Sequence, residues 1–230
     1  MEHLIDYSRQ ADFDETFSDS VSLNDSLHII IGCGGVGFWL GLILAMQGVT
    51  DFCLIEGQTI EPSNLNRLPV PLSWVGINKA VALRKIIRTV RPASKIIVFG
   101  KHLSKESLES TTKFWCNTPK LFWDCTDDAR IQRVVFDYCK EKNWNYRKIG
   151  YEGFNVGTYQ DYGVWTAKDY RPGYRTSNAC AATSALAAVV GFMATGLDIS
   201  KDVNINIKDL LKSFQPPEER EDNEDNSGNL

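Results

Sequence analysis

LHIIIGCGGVGFWLGLILAMQGVTDFCLIE, residues 27–56, is the stretch of sequence that decides the fold. An apolar strand, Leu27–Ile31, leads into the glycine-rich turn Gly32–Gly37, and an apolar helix and a second strand, Phe52–Ile55, follow. This order predicts a β-α-β unit with parallel strands and a right-handed crossover. In such a turn, residues without a Cβ let backbone N–H groups approach a phosphate at the helix start. The stretch therefore predicts a nucleotide site.

Glu56 ends the second strand about twenty residues after the turn, where nucleotide-binding sheets of this kind carry an acidic residue on the ribose. Its carboxylate can accept hydrogen bonds from both ribose hydroxyls. The alternative is a tight strand-to-helix turn without a ligand, because a glycine pattern alone is a weak signal. The strand, the helix and the acidic residue in this order favour the nucleotide site.

The rest of the chain continues the alternation of strands and helices. Apolar spacing and turn residues predict helices at Phe38–Gly48, Lys79–Arg91, Lys105–Thr112, Ala129–Asn143 and within Thr176–Leu197, strands at Ile96–Phe99, Leu121–Trp123 and Val203–Ile207, and a strand or hairpin at Lys148–Gly163. This order predicts an α/β fold, doubly wound and Rossmann-like, with a mainly parallel sheet and late antiparallel strands. We expect an N-terminal arm at 1–26, one domain at 27–214 and a disordered acidic tail at 215–230.

Composition excludes several classes of function. The net charge is −4, without a basic block, so we expect neither nucleic acid nor an anionic membrane surface as a partner. The six cysteines are scattered without a CxxC pair, which predicts no structural zinc, no disulfide framework and a reducing, cytoplasmic location. Thr176–Leu197 carries no charge, but its many small residues favour a buried helix over a membrane span.

Three charged residues are candidates for the chemistry of this site: Arg67 in the loop after Glu56, Lys79 at the start of a helix, and Asp127 after the strand Leu121–Trp123. Nucleotidyl transfer needs cations on the phosphates and a carboxylate that holds magnesium, and these residues supply both. A surface role is the alternative for each of them. The pair Asp127 and Asp128 could instead cap the helix that begins at Ala129.

Six separated motifs occur together in this chain: Tyr7-Ser8-Arg9-Gln10, GCGGVG at 32–37, Leu54-Ile55-Glu56, SNLNR at 63–67, Val75-Gly76-Ile77-Asn78-Lys79 and DCTDD at 124–128. In their order and spacing they resemble the ThiF/MoeB family of ubiquitin-activating-enzyme-like (HesA/MoeB/ThiF) adenylyltransferases, over roughly residues 7–198. A nicotinamide-dependent oxidoreductase, the alternative for the glycine turn, would not need SNLNR or DCTD. The family usually has aspartate where this chain has Glu56, and both share the ribose-binding chemistry.

The resemblance implies that the chain is a short, zinc-free member that uses ATP and Mg²⁺. The residues it assigns to ATP are Gly32, Gly34, Gly35, Gly37, Glu56, Ser63, Asn64, Asn66, Arg67, Lys79, Asp127 and Asp128. Glu56 would hold the ribose, Arg67 and Lys79 would bind the triphosphate, and Asp127 would be the magnesium ligand. Arg9 would reach the phosphates of the partner subunit, which implies a homodimer.

The reaction that the resemblance implies is attack by the C-terminal carboxylate of a small ubiquitin-like or sulfur-carrier protein on the α-phosphorus of ATP. It releases pyrophosphate and leaves an acyl-adenylate, with Arg9, Arg67, Lys79 and Asp127 as the catalytic residues. Cys180 resembles the cysteine at the head of a helix that some members use in a thioester or persulfide step. A buried, inert cysteine is the alternative, and we expect Cys33 to be a packing residue.

Two further functions remain open at the level of sequence. The chain could adenylate a small-molecule, tRNA-linked or peptide carboxylate, or it could be a scaffold that binds a nucleotide without turnover. A scaffold has no need of Arg9, Arg67, Lys79 and Asp127 together, and their joint presence therefore favours an enzyme.

Overall fold

A seven-stranded sheet forms the centre of the described part of the chain. The computed structural model describes residues 26–113, 120–152, 154–164, 178–195, 202–207 and 209. The strands are β1 (Leu27–Ile31), β2 (Asp51–Ile55), β3 (Lys95–Phe99), β4 (Lys120–Asp124), β5 (Asn145–Glu152), β6 (Asn155–Tyr159) and β7 (Val203–Asn206). The helices are α1 (Gly35–Met46), α2 (Lys79–Val90), α3 (Lys105–Thr112), α4 (Ala129–Lys142) and α5 (Asn178–Thr195).

The strand order is β3-β2-β1-β4-β5-β6-β7. The first five strands pair in parallel, with Ile31 of β1 beside Ile55 of β2 and Asp124 of β4. The pairs β5-β6 and β6-β7 are antiparallel, which confirms the predicted fold class. The order reverses between β1 and β4, and α/β sheets bind their ligands beyond the carboxyl ends of the strands at such a point.

Successive residues of the strands pack into two apolar layers, one on each face of the sheet. Ile30 and Leu54 contribute to the layer that contains residues of α1, α2 and α5. Ile29 and Phe122 contribute to the opposite layer, with residues of α3 and α4. The parallel strands are buried on both faces and therefore read as continuous apolar runs in the sequence.

Helix α1 is packed between the sheet and α5, which explains why its sequence is apolar on nearly every side. It begins three residues before the predicted start at Phe38, because the last glycines of the turn already take part in its first turn. Glycine is a poor helix former, and the sequence pattern therefore hides this start. Gly48, the last residue of the predicted helix, follows the end of α1 with a φ of +107°, as a C-terminal capping glycine does.

Helix α5 occupies most of the uncharged stretch Thr176–Leu197, for which the sequence favours a buried helix over a membrane span. Ala181, Ala185 and Val189 of this helix are buried in the apolar layer that also contains α1. None of the helices in the described ranges is long and apolar enough to cross a membrane.

The β5-β6 hairpin is the strand or hairpin predicted at Lys148–Gly163, but β5 begins earlier, at Asn145. Arg147 and Lys148 are each 1% exposed in the middle of this strand. Buried Arg147 interrupts the apolar pattern by which the sequence indicates a strand, and the first three residues of β5 lie outside the predicted strand.

Candidate active site

A cavity of about 480 Å³ opens at the carboxyl ends of β1, β2 and β4 and along β5. This volume is typical of a small-molecule site. The cavity lies at the point where the strand order reverses. The residues that line it include Gly32, Gly34, Gly35, Glu56, Gln58, Arg67, Lys79, Lys101, His102, Asp127, Asp128, Arg130, Lys148 and Tyr151.

The glycine-rich turn joins β1 to α1 in a conformation that side chains would obstruct. Gly32 has a φ of +84°, and its N–H donates to the carbonyl of Ile55 at 3.0 Å. A Cβ on Gly37 would collide with the carbonyl oxygen of Gly32. Gly34 has no side chain to cap α1, so the first N–H groups of the helix are available to an anion in the cavity. Gly37 supports this turn by close packing, whereas the other three predicted glycines line the cavity.

Glu56 connects the glycine turn to the loop after β2. Its Oε2 accepts the backbone N–H of Cys33 at 3.1 Å, and its Oε1 accepts the backbone N–H of Gln58 at 2.8 Å. These two bonds fix the carboxylate at the cavity wall, while each oxygen keeps a lone pair for a further donor. Two neighbouring ribose hydroxyls would match this pair of acceptors.

Lys79 is the first residue of α2 and is only 7% exposed. Its Nζ donates to Oε1 of Gln58 at 2.8 Å, which holds the ammonium at the cavity wall. Asn78 caps the helix by accepting two backbone N–H groups, and its Nδ2 donates to the carbonyl of Glu56 at 2.9 Å. The start of α2 is thus tied to the residue predicted to hold the ribose.

The loop after β2 carries four of the predicted residues: Ser63, Asn64, Asn66 and Arg67. Asn64 is buried, and its Oδ1 closes a short 3₁₀ turn by accepting a backbone N–H at 3.0 Å. Nη1 of Arg67 donates to the carbonyl of Ser63 at 2.7 Å and to Oδ1 of Asn66 at 2.9 Å. Arg67 lines the cavity beside Gly35, whereas the other three shape the loop that positions it.

Asp124, the first acidic residue of the DCTDD motif, is fully buried. Its Oδ1 accepts the N–H and the hydroxyl of Thr126, at 2.9 and 2.7 Å, and its Oδ2 accepts the hydroxyl of Tyr146 at 3.0 Å. Burial raises the pKa of Asp124, while Lys148 and these hydrogen bonds oppose the shift. Asp124 therefore shapes the loop that follows β4.

Asp127 and Asp128 have different surroundings. Asp128 caps α4 by accepting the N–H of Arg130 at 2.9 Å, and it forms an ion pair with the Arg130 guanidinium at 2.8 Å. Hydrogen bonds from Arg130 lower the pKa of Asp128 to about 2. The capping role that the sequence left open for the pair thus belongs to Asp128, although its side chain also lies at the cavity. Asp127 lines the cavity without that helix-capping role.

A cluster of three or more His, Cys, Asp or Glu side chains that could hold a metal was not found within the described ranges. Magnesium sites at phosphates commonly use one or two protein carboxylates, with phosphate oxygens and water as the other ligands. Asp127 fits that role as a carboxylate at the wall of the cavity.

Of the cysteines near the site, Cys33 and Cys180 are buried and Cys125 is half-buried. Cys180 lies in the first turn of α5, is 6% exposed and packs in the same apolar layer as Cys33. Burial, followed by the charge of Glu56, raises the pKa of Cys33 well above its usual value, as expected of a packing residue. Burial also raises the pKa of Cys125 to about 12. A nucleophilic role for Cys180 stays a prediction.

Arg9 lies outside the described residues, as do the rest of the arm before Ser26, Cys116 and the acidic tail.

Sequence reasoning missed several residues of the cavity wall, among them Gln58, Lys101, His102 and Lys148. Gln58 holds Lys79 from a loop with no recognisable motif. Lys148 lies in a buried strand, and a charged residue amid apolar and aromatic neighbours was the one signal that could have revealed it.

A family model described as the ThiF family matches residues 7–197. The chain belongs to the ThiF family. This confirms the resemblance that the six motifs indicate. The matched residues contain the glycine turn, Glu56, Lys79 and Asp127, and also Arg9.

Two relatives and one solved structure illustrate what this ThiF-family chain is similar to. The adenylyltransferase and sulfurtransferase UBA4 of Eremothecium gossypii is 26% identical over 178 residues, which are 76% of this chain and 38% of UBA4. The tRNA threonylcarbamoyladenosine dehydratase of Haemophilus influenzae is 26% identical over 137 residues, 59% of this chain and 51% of the dehydratase. The chain thus spans about half or less of the length of these two relatives. The structure of Escherichia coli MccB with ATP shares the fold, with a TM-score of 0.68, 19% identity and coverage of 86% of this chain and 68% of MccB.

Proposed function

We propose that the chain binds ATP in the cavity and transfers its adenylyl group to a carboxylate. The observation that carries this proposal is the convergence of the glycine turn, Glu56, Lys79, Arg67 and Asp127 around one cavity in a ThiF-family fold. A carboxylate acceptor for two hydroxyls, backbone N–H groups, two cations and a carboxylate for magnesium are the groups that an ATP site requires.

In this proposal Glu56 accepts the ribose hydroxyls, because its carboxylate is already held at the end of β2 by two backbone N–H groups. The N–H groups at the start of α1 and the side chains of Lys79 and Arg67 bind the phosphates. Lys79 is held by Gln58 and Arg67 by its own loop, so both cations are ordered before ATP arrives.

Asp127 is the residue proposed to hold Mg²⁺. When bound, this ion neutralises charge on the phosphates. Asp128 is engaged as the cap of α4 and in an ion pair with Arg130, which leaves Asp127 as the better ligand.

The reaction requires neither an oxidant nor a proton donor. One oxygen of the acceptor carboxylate forms a bond to the α-phosphorus of ATP. The bond from this phosphorus to its bridging oxygen breaks, and pyrophosphate leaves with the electron pair. The products are an acyl-adenylate and pyrophosphate, and the chain contributes in-line positioning and charge stabilisation.

The acceptor that we propose is the C-terminal carboxylate of a small ubiquitin-like or sulfur-carrier protein. Similarity to UBA4, named an adenylyltransferase and sulfurtransferase, supports this acceptor. A peptide or tRNA-linked carboxylate is the second candidate, supported by the dehydratase relative and by solved structures of Escherichia coli MccB with MccA.

We place the reaction in the cytoplasm, because the five cysteines among the described residues are free thiols and structural disulfides are typical of oxidising compartments. The net charge of −4 gives no support for a nucleic-acid or membrane surface as a binding partner.

Exchange of labelled pyrophosphate into ATP, measured with candidate carrier proteins and peptides, tests the proposal. We expect Asp127→Ala to abolish the exchange and to leave the fold intact. Asp137→Ala is the matched control, because Asp137 is an exposed carboxylate on α4 that pairs with Arg133. Exchange that survives in Asp127→Ala would remove Asp127 from the site, and ATP binding without exchange for any acceptor would favour a scaffold.

We further propose that the chain acts as a homodimer in which Arg9 completes the phosphate site of the partner. Arg9→Ala and Asp127→Ala subunits are each expected to be inactive. When the two are mixed and allowed to exchange, half of the dimers carry one intact site, and about a quarter of the wild-type activity should return. Mixtures that stay inactive would contradict action in trans.

Cys180 is proposed to act after adenylation, where its thiolate would attack the acyl carbonyl and release AMP, leaving a thioester. Because its side chain is buried, this step requires the start of α5 to open. Cys180→Ser should retain pyrophosphate exchange and lose the covalent acyl-enzyme detected by mass spectrometry. An acyl-enzyme that still forms in this variant would exclude Cys180 as the nucleophile.

A further inference from the structure

Strand β5 brings a buried lysine to the wall of the cavity. Lys148 is 1% exposed and lines the cavity on the side away from Glu56. Strands β1 and β4 lie between β2 and β5, and three strand spacings separate the ends of β2 and β5 by about 14 Å. A nucleotide with its ribose at Glu56 and its phosphates at the glycine turn therefore leaves the β5 end of the cavity to a second reactant.

The bonds of Lys148 leave capacity for a ligand. Its Nζ donates to the carbonyl of Ile149 at 2.8 Å and to the carbonyl of Asp124 at 3.4 Å. An ammonium has three donors, and within the described ranges these two carbonyls are its hydrogen-bond partners. The carboxylate oxygens of Asp124 accept from Thr126 and Tyr146, and Lys148 bonds the backbone carbonyl of Asp124 instead.

The charge of Lys148 also points to an anionic ligand. Burial lowers the pKa of Lys148, and the nearby carboxylates of Asp124 and Asp127 oppose that shift. A buried ammonium is costly unless charge and hydrogen bonds compensate for its lost hydration. A ligand that carries a negative charge at this end of the cavity would provide that compensation.

The ammonium of Lys148 could reduce a charge repulsion in the proposed reaction. A carboxylate must approach the α-phosphorus of ATP, which is itself anionic, in a cavity that also holds Asp127. The cations proposed for the triphosphate, Arg67, Lys79 and Arg9, are occupied by phosphate oxygens. A further cation at the β5 end of the cavity would stabilise the attacking carboxylate.

We infer that Lys148 binds the carboxylate of the acceptor and forms the acceptor subsite of the cavity. This inference rests on the proposed function and adds a residue to it. The carboxylate oxygen that does not attack accepts the remaining N–H of Lys148. It keeps this bond as the carbonyl oxygen of the acyl-adenylate. An acceptor that ends in an amide could place its carbonyl oxygen on the ammonium but would lack the anionic oxygen that attacks the phosphorus.

Affinity for two adenosine ligands separates this role from nucleotide binding. The first ligand is AMP, and the second is 5′-O-(N-glycylsulfamoyl)adenosine, a stable mimic of an acyl-adenylate. Both carry adenosine and an anionic group, and the mimic adds the acyl carbonyl. Dissociation constants are measured by calorimetry for the wild type, Lys148→Met, Lys148→Gln and the control Lys140→Met, which removes an exposed lysine of α4.

We expect Lys148→Met to raise the dissociation constant of the mimic by about tenfold or more and to change that of AMP by less than about twofold. Lys148→Gln should behave similarly, and Lys140→Met should match the wild type. Equal losses for both ligands would make Lys148 a nucleotide contact, and no loss for either would make it structural. Either result overturns the inference.

Binding of AMP and of the mimic by the wild type tests the proposed function separately from the role of Lys148. If it binds neither AMP nor the mimic, the proposed function fails and the inference falls with it. If it prefers the mimic and Lys148→Met keeps that preference, the inference alone fails. Should neither Lys148 variant fold, a crystal structure of the wild type with the mimic decides, because Nζ must then lie within hydrogen-bond distance of the acyl oxygen.

Discussion

At the scale of single residues, two glycines of the same turn, Gly34 and Gly37, differ in the space available for a side chain. A Cβ on Gly37 would collide with the carbonyl oxygen of Gly32, whereas a Cβ on Gly34 would meet no heavy atom within 4 Å. Gly37→Ala should lower the free energy of unfolding by about 1–3 kcal/mol, as overpacking does. Gly34→Ala should change it by less than about 0.5 kcal/mol. Urea denaturation measures both, and equal losses would show that the turn is not packed as described.

Glu56 supports a second prediction at this scale. Glu56→Gln keeps the shape of the side chain but turns one acceptor into a donor that faces a backbone N–H of Cys33 or Gln58. We expect ATP affinity to fall at least about tenfold and the free energy of unfolding to fall by about 1 kcal/mol. The control Glu141→Gln alters an exposed carboxylate of α4 that pairs with Lys105. Unchanged ATP affinity in Glu56→Gln, measured by calorimetry, would contradict the ribose assignment.

At the scale of elements, the cap of α4 should make stability depend on pH in the acid range. The pKa of Asp128 is about 2 in the folded protein, below its unfolded value of 3.8. The stability that the carboxylate contributes is therefore present above pH 3.8 and is lost as the pH falls towards 2. Asp128→Ala should cost about 1 kcal/mol at pH 7.

Asp128→Asn separates the cap from the charge, because asparagine caps a helix well without a carboxylate. Its loss of stability at pH 7 should be smaller than that of Asp128→Ala. The difference between wild type and Asp128→Ala, measured by thermal unfolding between pH 7 and pH 2, should shrink only below about pH 4. A difference that is constant over this range would contradict the capping role of the charged carboxylate.

The elements themselves were largely predictable from the sequence, for physical reasons. Helix α2 begins at Lys79 as expected because Asn78 caps it, and helix α4 begins at Ala129 because Asp128 does. Strands β1 and β2 were predictable as continuous apolar runs. Glycines obscured the start of α1, and buried Arg147 obscured the start of β5.

The residues of the site were predictable from the sequence only where they belong to a recognisable motif. Glu56, Lys79 and Asp127 reach the cavity from positions that the family motifs mark. Gln58, which holds Lys79, and Lys148, which faces the β5 end of the cavity, depend on how the loop and the strands lie in space. Their placement is set by the tertiary pairing of β4 with β5 and by the loop after β2, neither of which a local pattern encodes.

At the scale of the whole molecule, the sheet determines how two reactants could meet. Its order reverses at β1 and β4. This arrangement places Glu56, the proposed ribose ligand, at the end of β2 and the glycine turn, the proposed phosphate site, at the end of β1. Lys148 on β5 lines the same cavity. A nucleotide and a carboxylate could therefore approach each other along one edge of the sheet.

The measurement that tests the central claim most directly identifies which phosphorus of ATP is attacked. ATP labelled at the α-phosphorus is incubated with the protein and a set of small carrier proteins that end in glycine, and the nucleotide products are separated by chromatography. Attack by a carboxylate on the α-phosphorus predicts that the label leaves ATP in the acyl-adenylate, and in AMP once that anhydride is hydrolysed. Both products should depend on a free C-terminal carboxylate and be lost in Asp127→Ala. Formation of ADP and phosphate instead would contradict the account.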